Sequence, residues 1–501
     1  MNHQRPTSSP KKIIVIGAGM GGLAVAARLA KLGHNVEIFE ASGCVGGKCR
    51  TEWINGFGFD TGPSLLTLPA TYRDLFLKTG KRLEHAAPIE PVDPAFTYYF
   101  HDGTTIVFPN LSHSGTVSEL AQKLGKQAGE EWHQLLTRAE AMWQAAREDF
   151  VESELRLRSF ITRPSLVSEL RTIAPWKSLR KIVQEYTSNP YIQKIIDRYA
   201  TYTGSDPRKA PAVLLTIAFV EEAFGAWHVR GGLGTIATAL ESRLSDLGCR
   251  IHLNSKVDRI LTSQGEARGI ELSDGTRHQA DIVISNVDAY LLYGSMLPEL
   301  KETKRPRTSL KQATPSLSGF SLQLGLRGKS NLSHHSVFFP ENYEDEFEAI
   351  FTRKEPVPDP AIYICNAPGM TSNPENESWF VLINAPRHDE YFDWDRQGLK
   401  EEYAERIINL MEKRGLTVRS RVVEMKIRTP ADLERDVAAP GGSIYGTSSN
   451  GARSAFLRAK NRSPIKNLYC VGGSAHPGGG LPLVAISAEI VATAIAGSEA
   501  E

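Results

Sequence analysis

The sequence predicts an α/β fold: a discontinuous Rossmann-like nucleotide-binding domain, a β-sheet substrate domain and a helical cap. Three observations carry this. Residues 13–41 read as strand, glycine loop, helix, strand and acid in one register, and further strands and helices suited to the same sheet recur at 227–297 and 465–501. The two long inserts between these pieces differ in periodicity, the first helical and the second strand-like. The expected domains are therefore 1–80, 227–297 and 465–501 for nucleotide binding, 81–115 and 298–464 for the sheet, and 116–226 for the cap.

In chain order, residues 13–16 are four consecutive apolar residues, the pattern of a strand buried on both faces. Gly17, Gly19 and Gly22 follow at G-x-G-x-x-G spacing. They supply a tight turn, room for a diphosphate against backbone, and close packing of helix on strand. The helix that begins there turns its free N–H groups towards the phosphates. Ala24, Ala27, Leu29 and Leu32 give it an apolar face, Gly33 and His34 end it, and 36–39 form a second strand before Glu40. A carboxylate at that place accepts hydrogen bonds from an adenosine ribose, so the unit binds an ADP-containing cofactor.

Gly43, Gly46, Gly47, Lys48 and Arg50, then GFGFDTGPSLL at 56–66 with Gly62, Pro63 and Ser64, allow further backbone to approach an elongated ligand. A nicotinamide site has no need of them, and FAD fits better. Asp60 reads as bonding its own turn ahead of Gly62 and Pro63. The middle piece offers a helix at 235–247, a strand at 250–253, a hairpin-like passage at 257–272 and a strand within 280–288. In the last piece 468–471 is a buried strand, Gly472 and Gly473 a close-approach turn, and 483–496 a closing helix. Gly480, Leu481 and Pro482 lead into that helix, whose N-terminus suits the anionic edge of a reduced flavin.

In the first insert, Ile192, Ile195, Ile196, Tyr199 and Tyr202 recur at helical spacing. In the second, Phe320, Leu322, Leu324 and Leu326 alternate, 361–365 and 379–384 are apolar runs, and one helix falls at 399–413. Residues 98–108 add two early strands about a turn at Asp102 and Gly103.

The 501 residues carry a formal charge of only +1, which gives no signal for a nucleic-acid partner. Five cysteines, odd in number and without a CxxC, argue against a disulfide framework or a metal site and point to a reducing compartment. No run approaches the ~20 apolar residues of a membrane span. Between Arg156 and Lys181, however, seven bases meet one acid, Glu169, and are interleaved with apolar residues including Phe160, Ile173 and Trp176. Such a stretch is either a solvated cap helix or a surface that lies in lipid headgroups, where each base contributes on the order of 1 kcal/mol.

The glycine-pair-plus-base segment resembles the glutathione-reductase and amine-oxidase superfamily of flavoproteins. NLYCVGGSAHPGGGLPLVAISAEIVATAIA at 467–496 resembles the terminal signature of bacterial carotenoid desaturases of the phytoene type, and GFGFDTGPSLL and WHVRGGLGTIATAL at 227–240 match that family as well. Two departures stand out, Lys48 where that family usually has arginine, and His228 within the middle motif. The resemblance implies an FAD-dependent desaturase that introduces C=C bonds into an acyclic isoprenoid by hydride transfer to flavin. The alternative on the same scaffold is a carotenoid terminal oxidase that forms an end-group aldehyde. Alternatives of other classes are a flavin amine oxidase and a non-catalytic isoprenoid-binding flavoprotein.

The implied partners are a hydrophobic carotenoid, a membrane surface at the inner face of the cell membrane met peripherally from the cytoplasm, and an electron acceptor such as a quinone or oxygen. Val257 stands where the superfamily places a backbone contact to adenine, or is an ordinary strand valine. His228 and His476 are the imidazoles inside family-like motifs and so the candidate proton acceptors. Gly19→Val is expected to abolish flavin retention, because a branched side chain occupies the diphosphate space; a variant purified with full flavin absorbance contradicts the nucleotide-binding reading.

Overall fold

The computed structural model describes residues 9–154, 166–451 and 454–497. The glycine unit forms as expected, with β1 (Lys12–Ile16), α1 (Met20–Lys31) and β2 (Asn35–Phe39) in sequence. Ile13, Ile14 and Val15 are fully buried, and Gly33 leaves the helix at φ +96°, a conformation that favours glycine. The five-stranded parallel sheet has the order Leu468–Cys470, Ile282–Ser285, β1, β2, Arg250–His252. Strands from three distant stretches thus hydrogen-bond side by side, with Val15 opposite Ile284 and Ile284 opposite Tyr469.

The helix Leu481–Gly497 packs on α1 over this sheet. Apolar residues on all its sides are accommodated because neighbours cover it: Ala488, Val491 and Ile495 are buried with Leu23, Ala27 and Tyr72. No described helix is long and apolar enough to cross a membrane. The 257–272 passage is a hairpin of Val257–Ser263 and Glu266–Leu272, to which Arg277–Gln279 adds a third strand.

The strand Trp227–Val229 lies outside the parallel sheet and pairs antiparallel with Ile89–Pro91. Asp60 does not bond its own turn. It ends the hairpin Thr51–Ile54/Phe57–Asp60, accepts from Thr51 Oγ1 at 2.7 Å and from Leu233 N at 2.9 Å, and so ties that hairpin to the start of the helix Gly234–Asp246. Burial pushes its carboxyl up to about 6 in spite of those bonds.

A seven-stranded sheet runs Val422–Arg428, Ser318–Leu326, Glu377–Ala385, Ile362–Asn366, His335–Phe338, Phe96–Tyr99, Thr105–Phe108. Only the His335–Phe338 and Phe96–Tyr99 pair is parallel. The alternation of side chains separates its faces. Phe320, Leu322, Leu324, Val381 and Ile383 pack on Tyr403, Ile407 and Met411 of the helix Leu399–Lys413. Gly319, Ser321, Phe380, Leu382 and Tyr363 point the other way, into a cavity.

The cap holds His113–Leu124, Lys126–Ala146, Leu166–Ile173, Leu179–Gln184, Pro190–Thr201 and Thr216–Phe224. Asn189 caps the fifth of these through Oδ1 to the N–H of Tyr191 at 3.0 Å, with Pro190 at the first helical position. The predicted stripe of Ile192, Ile195, Ile196 and Tyr199 is buried against Phe96, Tyr98, Phe108 and Trp132.

Candidate active site

One continuous cavity of about 1010 Å³ reaches from the glycine loop of the parallel sheet to the bare face of the seven-stranded sheet. That is the upper end for a ligand site, large enough for an elongated dinucleotide cofactor. Of the sequence-predicted residues, Gly17, Gly19, Glu40, Gly46, Gly47, Lys48, Arg50, Gly62, Pro63, Ser64, Val257, Gly472, Gly473, Gly480, Leu481 and Pro482 line it. Gly22 does not; a Cβ there would run into the Gly17 carbonyl, so it serves helix packing.

The glycine clusters fit into one another. Gly46 N donates to Ala18 O at 2.8 Å, and a Cβ on Gly47 would come within 3.2 Å of Gly19 Cα. Glu40 Oε2 accepts from Ala18 N at 2.7 Å, and Oε1 from Ser42 N and Oγ at 2.8 Å each. The carboxylate is thereby fixed beside the loop with lone pairs left for a ribose. Val257 lies on the same wall with Lys256 and Asp258.

Asn286, which sequence reasoning passed over, is the point where the three pieces of the nucleotide fold meet. Its backbone N–H donates to Ile16 O at 2.9 Å. Its amide is enclosed so tightly that a Cβ on Gly19 or Gly21 would stand 2.6 Å from it, and one on Gly472 2.5 Å. An asparagine in SNVD after a buried strand is the only sequence signal.

Lys48 does more than offer a charge. Nζ donates to Ser443 O at 2.9 Å and Ile444 O at 2.6 Å, and burial pushes it down to about 8 against the pull of Asp288. Burial likewise raises Asp288, opposed by the N–H of Tyr290 and by Lys48, Arg458 and Arg387. Arg458 donates to Gly473 O at 2.8 Å, Tyr445 O at 3.1 Å and Thr447 O at 2.6 Å, clamping the 445–447 segment over the glycine pair.

The lining fits FAD. Arg50 Nη1 donates to Cys44 Sγ at 3.0 Å while its Nε is buried without a partner, a cation suited to a diphosphate. The helix Leu481–Gly497 opens at the cavity, and Gly480 precedes it at φ +101°.

The two candidate histidines lie elsewhere. His476 Nε2 bonds Ser153 O at 2.9 Å, the ring sits near Phe150, and burial pushes it down to about 4. His228 packs at 5.0 Å from the His334 ring, and burial lowers it. Neither lines the cavity. The structure thus gives them packing surroundings and brings neither to the cofactor wall. His334, His335 and Cys365 bring their ligand atoms within 4.8 Å of one another, but the Arg198 charge beside His335 opposes a cation there.

Residues 20–496 match the family described as flavin containing amine oxidoreductase. The chain is 31% identical over 499 residues to 4,4'-diaponeurosporene oxygenase of Staphylococcus aureus (strain USA300), covering 98% of this chain and 99% of the relative. It is also 31% identical over 494 residues to 4,4'-diapolycopene oxygenase of a Methylomonas species, covering 96% and 97%. Among solved structures, cyclohexylamine oxidase from Brevibacterium oxydans superposes with a TM-score of 0.65 at 16% identity, covering 98% of this chain and 100% of that one. An oxidoreductase from Methanosarcina mazei superposes at 0.63 and 19%, covering 96% and 99%.

Asn286→Ala removes the amide and leaves a gap between glycine backbones. It is expected to destabilise the protein by about 1–3 kcal/mol and lower its flavin content. Thermal melting and flavin absorbance per polypeptide measure both, and parental values in each would remove Asn286 from the cradle.

Proposed function

We propose, from the premise that the chain belongs to the flavin-containing amine oxidoreductase family and is an FAD-dependent oxidoreductase related to carotenoid-modifying oxygenases, that it oxidises a terminal methyl of a long conjugated isoprenoid to an aldehyde. The observation that carries this reading is the single cavity, which joins the nucleotide cradle to a sheet face bearing Val337, Phe380 and Leu382. Both carotenoid relatives span essentially the whole chain and bear oxygenase names, which favours end oxidation over desaturation, the first expectation from the sequence. The net reaction, R–CH3 + O2 → R–CHO + H2O, balances with oxygen as the acceptor.

When bound, FAD supplies the redox chemistry. The protein holds and shields it. Gly19, Gly46 and Gly47 admit the diphosphate, Arg50 offers it a cation, and Glu40 takes the ribose. The N-terminus of Leu481–Gly497, which opens on the cavity, would favour negative charge on a reduced flavin bound there. Ser64 Oγ, bonded to Tyr363 Oη at 2.9 Å, links the cofactor wall to the sheet that orients the polyene.

A water-insoluble substrate requires delivery from lipid, and the cap supplies a surface for it. Val167, Leu170 and Trp176 are exposed at 61%, 39% and 63%. The basic component is smaller than the sequence suggested. Arg180 is engaged by Asp197 and Glu344 at 2.7 Å each, and Lys177 by Glu185 at 2.6 Å, whereas Arg171 and Lys181 face solvent. Arg156, Arg158, Phe160 and Arg163 lie outside the described residues.

Two outcomes follow. Expressed in bacteria that accumulate acyclic carotenoids, the chain is expected to give an aldehyde that takes up isotope from labelled dioxygen; pigments with added double bonds and no oxygen would establish desaturation instead. Leu170→Ser with Trp176→Ser is expected to weaken binding to anionic vesicles about tenfold at unchanged flavin content, and parental binding in a sedimentation assay would place the docking surface elsewhere.

A further inference from the structure

Arg198, on the helix Pro190–Thr201, lines the cavity and is 7% exposed. Its guanidinium lies 4.8 Å from the Phe96 ring, 4.9 Å from Tyr202, 5.7 Å from Tyr363 and 5.9 Å from Tyr98. Nη1 is buried without a hydrogen-bond partner. The buried carboxyl of Glu221 lies close enough to be felt, but its oxygens accept from Tyr199 at 2.7 Å and Tyr202 at 3.0 Å. A guanidinium remains protonated inside a protein and keeps five donors to place. The ring faces of the cage satisfy its charge and the Tyr98 hydroxyl interacts with the guanidinium, but Nη1 is left without an acceptor. A hydrocarbon has nothing to offer it either. The oxygen of a carbonyl at the end of a polyene has both the lone pairs and the shape, since the chain behind it is flat, apolar and able to lie along the rings.

We propose that Arg198 and its aromatic cage form an end-group subsite that receives the carbonyl oxygen of a polyene already oxidised at one end. The inference rests on the reading of the protein as a carotenoid-oxidising enzyme and goes beyond it, because it makes the end-oxidised polyene, rather than the hydrocarbon, the preferred occupant of the cavity. It also places the enzyme after a first end oxidation, whether its own or that of another oxidase.

The test uses the purified flavin-containing protein, a polyene aldehyde and the hydrocarbon of equal chain length, both in detergent micelles. Kd is read from quenching of tryptophan fluorescence, and hydrogen bonding from the position of the polyene absorption band. The parent is expected to hold the aldehyde about tenfold more tightly than the hydrocarbon, with a red shift of the bound aldehyde only. Arg198→Met should bring the ratio of the two Kd values to about one and abolish the shift, while Arg198→Lys, which keeps a charge and donors, should retain part of each. Flavin absorbance and melting temperature report folding of each variant. Equal affinity of the parent for both polyenes, or a ratio that survives in Arg198→Met, overturns the subsite alone. Binding of neither polyene by the parent overturns the carotenoid reading and the subsite with it.

Discussion

The close approach of backbone to backbone around Asn286 is the constraint on which the rest of the structure depends. Three stretches hundreds of residues apart in sequence must meet there, and a Cβ at Gly19, Gly21 or Gly472 would collide with the amide of Asn286. The meeting brings β1, the strand Ile282–Ser285 and the strand Leu468–Cys470 into one parallel sheet. It also brings two helix N-termini, of α1 and of Leu481–Gly497, to one cavity. Both dipoles then favour negative charge along the wall of that cavity. Glycine is needed at these contacts because no side chain is small enough to share the space.

The seven-stranded sheet achieves a different separation with the same economy. One face is packed with leucine, isoleucine and tryptophan against the helix Leu399–Lys413, so the sheet is rigid without help from its other side. The free face can then wall a cavity in place of a core, and Gly319 and Ser321 keep it shallow where larger residues would fill it. The cap closes the far end with a core of its own, in which Trp132 and Tyr199 are buried. Arg180 ties this cap to the sheet domain through Glu344 and to the helix carrying Arg198 through Asp197.

Buried charge is distributed unevenly around the cavity. Lys48, Asp288 and Arg458 form a group near the glycine pair, each shifted by burial, with Asp288 opposing the shift of the two cations and they its own, and with carbonyls of 443–447 and Gly473 taking up the donors. Removing one member would leave a buried opposite charge uncompensated, a costly defect. Arg198 has one buried carboxyl within reach, Glu221, whose oxygens accept from Tyr199 and Tyr202. Aromatic faces surround it, an environment different from that of the first three residues.

The sequence alone determined the nucleotide unit, because its signals are local: the spacing of Gly17, Gly19 and Gly22, the four apolar residues ahead of them and Glu40 behind them all lie within one strand–helix–strand unit. The alternation at 320–326 and the stripe at 192–199 were legible for the same reason, as each records one face of one element. Only the tertiary structure could decide what those faces meet. It set Asp60 on Thr51 and Leu233 instead of its own turn, drew Arg180 out of a basic surface stretch into ion pairs, and left His228 and His476 in packed surroundings away from the cavity. It also brought Asn286 and Arg198 to the walls, the first announced only by SNVD after a buried strand. A residue's protonation, partners and access to a ligand depend on groups hundreds of positions away, and no periodicity along the chain encodes them.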